Sequence, residues 1–474
     1  MNEVGGKESG PWWARYTDWT RFLPETVKDQ SRRIGKLLLL GFALRVVLLP
    51  IFGSTDATTT AWIGTVLMAK GQLILSNDPP PIFYLHALIF EVFRPIYPAA
   101  IFNRFVSPVA FTPGVLFPRS ILSEPGIGIL LTLVKLPYLA FDLASAVLLL
   151  WLVREPKPAV RALKMWLFNP IVLYVTYFFG QFDIVAVFFV ILAFYFNQRG
   201  RRHGALLSLS AAILFKDFAI VLVPFFLVLY LEQKRGLFVR SKEFLKVALA
   251  TTVPLAAQFL LAVLQTPFYE SANYALTGDL MNGFFGHTLY NRGVPGVPLI
   301  QGFLTFIGYS VKLTSFSPIP DVIYLFPLAY LMLFVAWILL RRKDAGKLWN
   351  ATTILFLLIY AFNLFHPQWF LWAQPFFIVL VARQGKPVSA LYSGIVAFFF
   401  AYILYFDAIA YTFPLTPLIP AAEFWPGPAS VMRSVGLPSD LIVNLARTAF
   451  SGLCLAWALR LFRAEWLPSG IPDQ

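Results

Sequence analysis

The sequence predicts an all-α, polytopic membrane protein of 12–14 transmembrane helices, and three observations lead there. Apolar residues make up 58% of the chain and charged ones only 13%, well below the ~25% charged content of soluble domains. Runs such as Val247–Leu264, Val322–Leu340 and Leu441–Leu461 approach the ~20 residues that cross hydrocarbon as a helix. Seven segments between the apolar runs hold 27 of the 38 Lys and Arg residues, and by the positive-inside rule they mark one face as cytoplasmic. Barrel-like alternation is absent, and helices satisfy their backbone groups in lipid on their own.

Taken in order, 1–36 is polar, carries Trp12, Trp13 and Trp19 and no cleavable signal, and reads as a cytoplasmic segment lying partly on the membrane surface. Leu37–Gly53 runs outward, so Asp56 emerges outside. Pro79–Glu124, broken by Pro81, Pro95, Pro98, Pro108, Pro113 and Pro118, crosses zero or two times for parity. A span carrying Lys135 and Asp142 leads to the basic loop Arg154–Lys164. Met165–Phe179 and Ile184–Asn197 form a hairpin whose outer tip is Gly180–Asp183. Gly204–Tyr230 has basic clusters at both ends but is too short for two full spans; it is predicted as two short helices meeting near Lys216-Asp217. Val247–Leu264 leads out to Gln265–Asp321, which includes a predicted re-entrant or surface helix at Leu299–Val311. Val322–Leu340 returns inward, Trp349–Leu364 goes out, and His366–Trp369 is an outer turn. Pro375–Ala382 returns, Ala390–Tyr405 goes out, Phe406–Ser439 is an outer loop, and the last span ends inside. The chain thus divides into an N-terminal segment, 1–36; a membrane module, 37–383, with outer loops 54–81 and 265–321; and C-terminal helices and tail, 384–474.

The net charge of +14 is dispersed among loops and not gathered in one basic domain. It therefore reads as topology and contact with anionic lipid headgroups, not as a nucleic-acid surface. The single cysteine, Cys454, falls inside a predicted span and cannot form an intrachain disulfide.

Nearly all the candidate chemistry falls on the outer face. Asp56, in Gly-Ser-Thr-Asp, fits an N-cap for Ala57–Met68 and equally a general base at the membrane surface; one residue can do both. Asn77-Asp78-Pro79-Pro80-Pro81 is a stiff polar break. Lys135 and Asp142, seven apart, share a helix face and read as partners of other helices, or as functional intramembrane charges. Asn169-Pro170 starts or kinks a helix, and Gly180-Gln181-Phe182-Asp183 sets an amide and a carboxylate at an outer tip. Lys216, in Ala-Ile-Leu-Phe-Lys-Asp-Phe, needs an anionic partner: Asp183, Asp217 or a ligand phosphate. His287, Arg292, His366 and Gln368 complete the outer set, with Arg292 suited to bidentate phosphate binding. No HExxH, DxD or paired Cys makes a metal site.

The stretch LFNPIVLYVTYFFGQFDIVAVFFVILAFYF, followed by ALLSLSAAILFKDFAIVLVPFFLVLYL, resembles the NP…GQxD…K…P core of polytopic GT-C glycosyltransferases. The prokaryotic relatives of GPI and polyprenol-dependent mannosyltransferases are the nearest branch. STDATTTAWIGTVLMAKGQ…PPPIFYLHALIF is similar to their first outer loop, and KLPYLAFDLASAVLLL and HPQWFLWAQPF also fit. The likeness covers most of Leu37–Leu380; each motif is short, and their order carries it. It implies a lipid-phosphate-linked sugar donor, polyprenyl- or dolichyl-phosphate mannose, and inverting transfer of a hexose to a glycan, lipid or protein acceptor at the outer face. Asp56 would be the base, Gln181 and Asp183 would line the acceptor or sugar pocket, and Lys216, Arg292 and His366 would meet the donor phosphate. No cofactor is required, and a divalent cation is compatible. Many members carry a second acid beside the first-loop Asp; here Thr55 and Ala57 flank Asp56, which weakens the case for a two-carboxylate metal site. The implied location is the plasma membrane of a prokaryote, or the endoplasmic reticulum membrane of a eukaryote.

Three rivals share part of this pattern. A lipid or lipid-linked-sugar flippase would place its site near the midplane and show repeat symmetry. A lipid-linked oligosaccharide ligase would favour a large outer loop with paired Arg residues. A non-catalytic membrane subunit needs no site.

Overall fold

The computed structural model describes residues 19–54, 80–96, 122–123, 125–232, 237–265, 310–312, 322–340 and 343–466. Asp56, Asn77, Asp78, His287 and Arg292 lie outside them, as do most of the predicted outer loops 54–81 and 265–321 and the side chain of Asp217.

In chain order the helices are α1 (Ser31–Leu48), α2 (Pro80–Phe93), α3 (Ile127–Leu152), α4 (Pro156–Leu167), α5 (Pro170–Leu173), α6 (Asp183–Gln198), α7 (Arg202–Phe215), α8 (Val223–Glu232), α9 (Leu237–Gln265), α10 (Leu325–Leu339), α11 (Ala345–Phe362), α12 (Gln374–Gln384), α13 (Lys386–Tyr402), α14 (Asp407–Tyr411), α15 (Pro428–Ser434) and α16 (Ser439–Trp466). Four are long and apolar enough to cross a membrane: Ile127–Leu152, Ala345–Phe362, Lys386–Tyr411 and Ser439–Trp466, the third running on beyond α13. Five apolar helices are shorter. The only strands among the described residues are β1 (Ser310–Lys312) and β2 (Val322–Tyr324), paired antiparallel. The end of the predicted helix Leu299–Val311 is therefore extended at Ser310–Val311, where strand pairing satisfies the backbone; 299–309 lie outside the described residues.

Local chemistry sets the boundaries. Proline stands in the first turn of α4, α5, α12, α13 and α15, where its missing N–H costs nothing and its fixed φ suits the helix. Asp344 caps α11 by accepting from the Lys347 amide at 2.9 Å. Asn169 Oδ1 accepts from the amides of Ile171 and Val172 at 2.8 and 3.3 Å. Its amide nitrogen donates to Tyr392 Oη at 2.7 Å, which ties the start of α5 to α13. The Asn169-Pro170 pair is thus a capped helix start.

One continuous apolar core runs through the bundle. α3 and α11 are central, with 61% of each apolar window buried, against 33% and 39% for the α13 and α16 spans. The outer helices leave large apolar side chains uncovered: Leu39, Val47, Leu331, Met332, Leu441 and Leu459 are all exposed. Such surface is incompatible with water over so many helices and fits hydrocarbon. The chain is a membrane protein by this measure.

Asp142 is the bundle's polar knot. It is fully buried on α3. Its carboxylate receives Arg45 Nε from α1 at 2.5 Å, Trp166 Nε1 from α4 at 2.6 Å and Tyr177 Oη at 2.7 Å. Arg45 also donates to the carbonyls of Gly41 and Leu167 at 3.1 and 2.8 Å. Of the two sequence readings, structural pairing accounts for Asp142. Lys135, two turns away on α3, is equally buried and donates to three carbonyls: Leu48 at 3.3 Å, Phe52 at 2.6 Å and Tyr177 at 3.1 Å. A cation at the C-terminal end of α1 is where the helix dipole favours one.

Candidate functional site

Three stretches of non-α helix lie at one end of the bundle. After α5 the chain passes into a π-helix, Tyr174–Phe178, then turns at Gly180. Gly180 takes φ 75°, a left-handed conformation that a side chain would strain, and the Gln181 amide folds back onto the Val175 carbonyl at 2.9 Å. Between α7 and α8 the break falls at Lys216, extended at φ −161°, followed by a 3₁₀ helix, Asp217–Leu222. Between α11 and α12 the 3₁₀ helix Pro367–Ala373 follows His366. Runs of 3₁₀ longer than 3–4 residues are uncommon, and both 3₁₀ and π stretches recur at functional positions.

These breaks bring together residues far apart in sequence. Asp183, fully buried in the first turn of α6, accepts from Trp372 Nε1 at 2.6 Å. The Trp372 ring stacks on Phe218, centroids 4.1 Å apart and 7° from parallel, and on Trp369 at 5.2 Å and 19°. The second stack follows from geometry: a 3₁₀ helix has three residues per turn, so residues i and i+3 eclipse. The Lys216 ammonium, buried, lies 4.7 Å from the Phe182 ring centroid. Gln181 is buried beside it in sequence; Gln368 and Trp369 are half-buried and His366 is exposed. The His366 ring packs between Trp369 and Phe406, at 5.5 and 5.4 Å. Gln368 Oε1 and Thr176 Oγ1 are buried at this end with no hydrogen-bond partner among the described residues, and buried polar atoms of that kind are rare enough to need an explanation.

The structure thus gathers Asp183, Lys216, Gln368 and His366 at one end through the aromatic stack, with Gln181 at the same tip. The predicted meeting of two short helices at Lys216-Asp217 is present as α7, the 3₁₀ turn and α8, and the predicted hairpin tip at Gly180–Asp183 is present between α5 and α6. Sequence reasoning missed Trp372, Phe182 and Phe218. The i, i+3 spacing of Trp369 and Trp372 was the available signal for Trp372.

The predicted first outer loop starts from this same end of the bundle, at Phe52–Ser54. Lys135 holds the Phe52 carbonyl, and the Gly53 amide donates to the Pro414 carbonyl at 3.2 Å. Tyr174 Oη donates to the Ala410 carbonyl at 2.9 Å. The 407–434 segment therefore spans the end of α1 and the π-helix. It is held by Asp407, whose carboxylate accepts from the amides of Ala429 and Ser430 at 3.0 and 3.2 Å and from the Ser430 hydroxyl. Gly427 is required there, since a Cβ would lie 2.1 Å from Asp407 Oδ1. Beneath His366, Arg447 of α16 donates to the Asn363 carbonyl at 2.5 Å and lies 5.1 Å from the ring centroids of both Phe365 and Tyr402. Arg447 and Asp407 carried no sequence signal beyond their residue type.

Chemically, the end offers stacked aromatic faces, a carboxylate, two amides, a buried cation and an exposed imidazole. Flat rings suit the C–H faces of a sugar, carboxylate and amide groups suit its hydroxyls, and a cation suits a phosphate. Among the described residues no three His, Cys, Asp or Glu side chains come together as metal ligands do. Comparison with protein-family models found no match, and comparison with curated proteins found none.

Proposed function

We propose that this chain is a multi-pass membrane glycosyltransferase of the GT-C type. It would move a hexose, mannose first among the candidates, from a polyprenyl- or dolichyl-phosphate donor to a glycan, lipid or protein acceptor on the extracytoplasmic side. The observation that carries this reading is the convergence of Gly180–Asp183, the Lys216 break and the His366–Trp372 turn on one aromatic-lined end. That end lies opposite the basic helix ends: α6 leads from Asp183 to Arg199, and α12 leads from the Trp372 turn to Arg383. The same three motifs carry the sequence resemblance.

In this reading Asp56, two residues beyond the pinned Phe52–Ser54 strand of chain, takes the proton from the acceptor hydroxyl as it attacks the anomeric carbon. The sugar–phosphate bond breaks as the new glycosidic bond forms, with inversion, and the lipid phosphate leaves toward Lys216. Asp183, Gln181 and Gln368 hold sugar hydroxyls, Trp369, backed by the buried Trp372, presents a ring face, His366 and Arg292 are further candidates for the donor phosphate, and Asp217 and His287 for substrate contact. Fixed charges placed where the leaving phosphate develops supply stabilisation without reorganisation.

The test uses purified protein in nanodiscs with radiolabelled polyprenyl-phosphate mannose and a membrane-extract acceptor pool. Wild type is expected to transfer label. Asp56→Asn, which keeps most N-cap hydrogen bonding, should lose about 10²- to 10⁴-fold in rate, the usual contribution of a general base. Lys216→Met should weaken donor binding and leave the acceptor KM alone. Label moved across the bilayer without transfer would overturn the reading in favour of a flippase, and undiminished turnover in Asp56→Asn would remove Asp56 as the base.

A further inference from the structure

The opposite end of the bundle holds a cavity of about 820 Å³. Four separate segments build it: the start of α1, the outer face of α4, the end of α12 and the start of α13. Arg33, Lys157, Arg161, Lys164, Arg383 and Lys386 line it, and among the described residues no acidic side chain does. One of the six, Arg383, meets a carboxylate, that of Glu155 at 3.5 Å.

Six cations around one concavity repel each other, and low-dielectric walls concentrate their field. A topology signal alone needs basic residues on this side of the membrane; it does not need them aimed into a common hollow from four segments. α13 begins in the wall, at Gly385 and Lys386, so the positive end of its dipole adds to the field. The remaining wall is apolar: Val160, Val381 and Ala382 are buried, and Phe168 is 37% exposed beside Met165. A soluble phosphate has no use for that apolar side, whereas basic pockets between helix ends fit phosphorylated lipid headgroups.

We propose that this cavity is a binding site for an anionic membrane lipid with two phosphate charges, its headgroup among the six cations and its acyl chains leaving past Met165 and Phe168. The site lies at the other end of the helices from the aromatic cluster. α6 alone, with its 16 residues, separates the two ends by about 24 Å. The proposal rests on the membrane embedding of the chain and not on glycosyl transfer.

The probe is diphosphatidylglycerol, offered to the full-length protein in phosphatidylcholine nanodiscs and followed by native mass spectrometry. Wild type should retain it in preference to phosphatidylcholine. The triple variant Lys157→Gln/Lys164→Gln/Lys386→Gln should bind it about 100-fold more weakly, at roughly fivefold per cation near the surface. The Lys→Arg triple should bind like wild type, and should the Gln triple fail to insert, Lys164→Glu alone, a change of two charge units, should lose about 25-fold on the same scale. Equal retention of both lipids by wild type, or unchanged affinity in the Gln triple or in Lys164→Glu, would overturn the site. Displacement of the lipid by inorganic pyrophosphate at matched concentration would overturn the lipid assignment in favour of a soluble phosphate. Loss of sugar transfer has no bearing on any of these readouts.

Discussion

Asp142 and Asp183 look alike by burial and by their tryptophan partner, and differ in what lies beyond that partner. Each is fully buried near a helix–helix contact, and each accepts a tryptophan N–H at 2.6 Å. Asp142 is enclosed: Arg45, Trp166 and Tyr177 converge on its carboxylate from three other segments, and Arg45 and Tyr177 are fully buried themselves. Asp183 sits one layer below a surface. Its tryptophan belongs to a 3₁₀ turn whose cap, His366, is exposed and whose Gln368 and Trp369 are half-buried, while Pro367, Phe370, Leu371 and Ala373 face inward. A buried acid is evidence of function only when its surroundings open outward; when they close, it is part of the frame.

The sharpest way to break this comparison is to neutralise the enclosed acid. Asp142→Asn leaves the Arg45 guanidinium buried at 0% exposure without its carboxylate. Removing one partner of a buried pair costs about 3–5 kcal/mol, so purified Asp142→Asn should melt far below wild type or fail to accumulate. Arg45→Met/Asp142→Leu, which removes both charges, should recover most of the loss. Wild-type melting of the single variant would show that Asp142 is not a structural knot, and the contrast with Asp183 would collapse.

Lys135 tests the link between frame and site. Lys135→Met keeps the stem and strips the donor from the carbonyls of Leu48, Phe52 and Tyr177. Unsatisfied buried acceptors cost about 1–3 kcal/mol, and the loss should be local, at the start of the first outer loop. Amide exchange at Phe52–Ser54 should quicken while that of α16, packed on α11 and α13, stays slow. Uniform exchange across the chain would mean that Lys135 supports the whole bundle and not this junction.

Much of this layout was legible because it depends on local rules. The Lys216-Asp217 break interrupts an apolar run too short for two spans, Gly180 marks a turn, and Asn169-Pro170 marks a helix start. Lys135 and Asp142 could be placed on one face by their spacing of seven. Their partners could not be found, because Arg45 lies 97 residues from Asp142 in sequence and nothing local announces the pairing. Trp372 was hidden for a different reason: its stacking on Trp369 follows only once the segment is known to be 3₁₀ and not α. The 407–434 segment read as a plain outer loop, since the cap that Asp407 gives to α15 joins residues 22 apart through a glycine chosen for its lack of a Cβ.

The smallest expected effect on stability is the most informative one about the site. Asp183→Asn keeps an oxygen in place to accept from Trp372 Nε1, so the Trp372–Phe218 stack should stay and stability should change by no more than about 1 kcal/mol, the scale of one hydrogen bond exchanged for a weaker one. Under the proposed chemistry the same variant loses a charged acceptor for a sugar hydroxyl. Hydrogen bonds to charged groups contribute about 1.5–3 kcal/mol, so kcat/KM for transfer should fall roughly 10- to 150-fold while the melting temperature holds. Trp372→Phe separates the two roles, since it removes the N–H and keeps a ring for stacking. If Asp183 merely anchors that ring, both variants should lose stability and activity together, as at Asp142. If Asp183 faces the sugar, Asp183→Asn should lose activity alone.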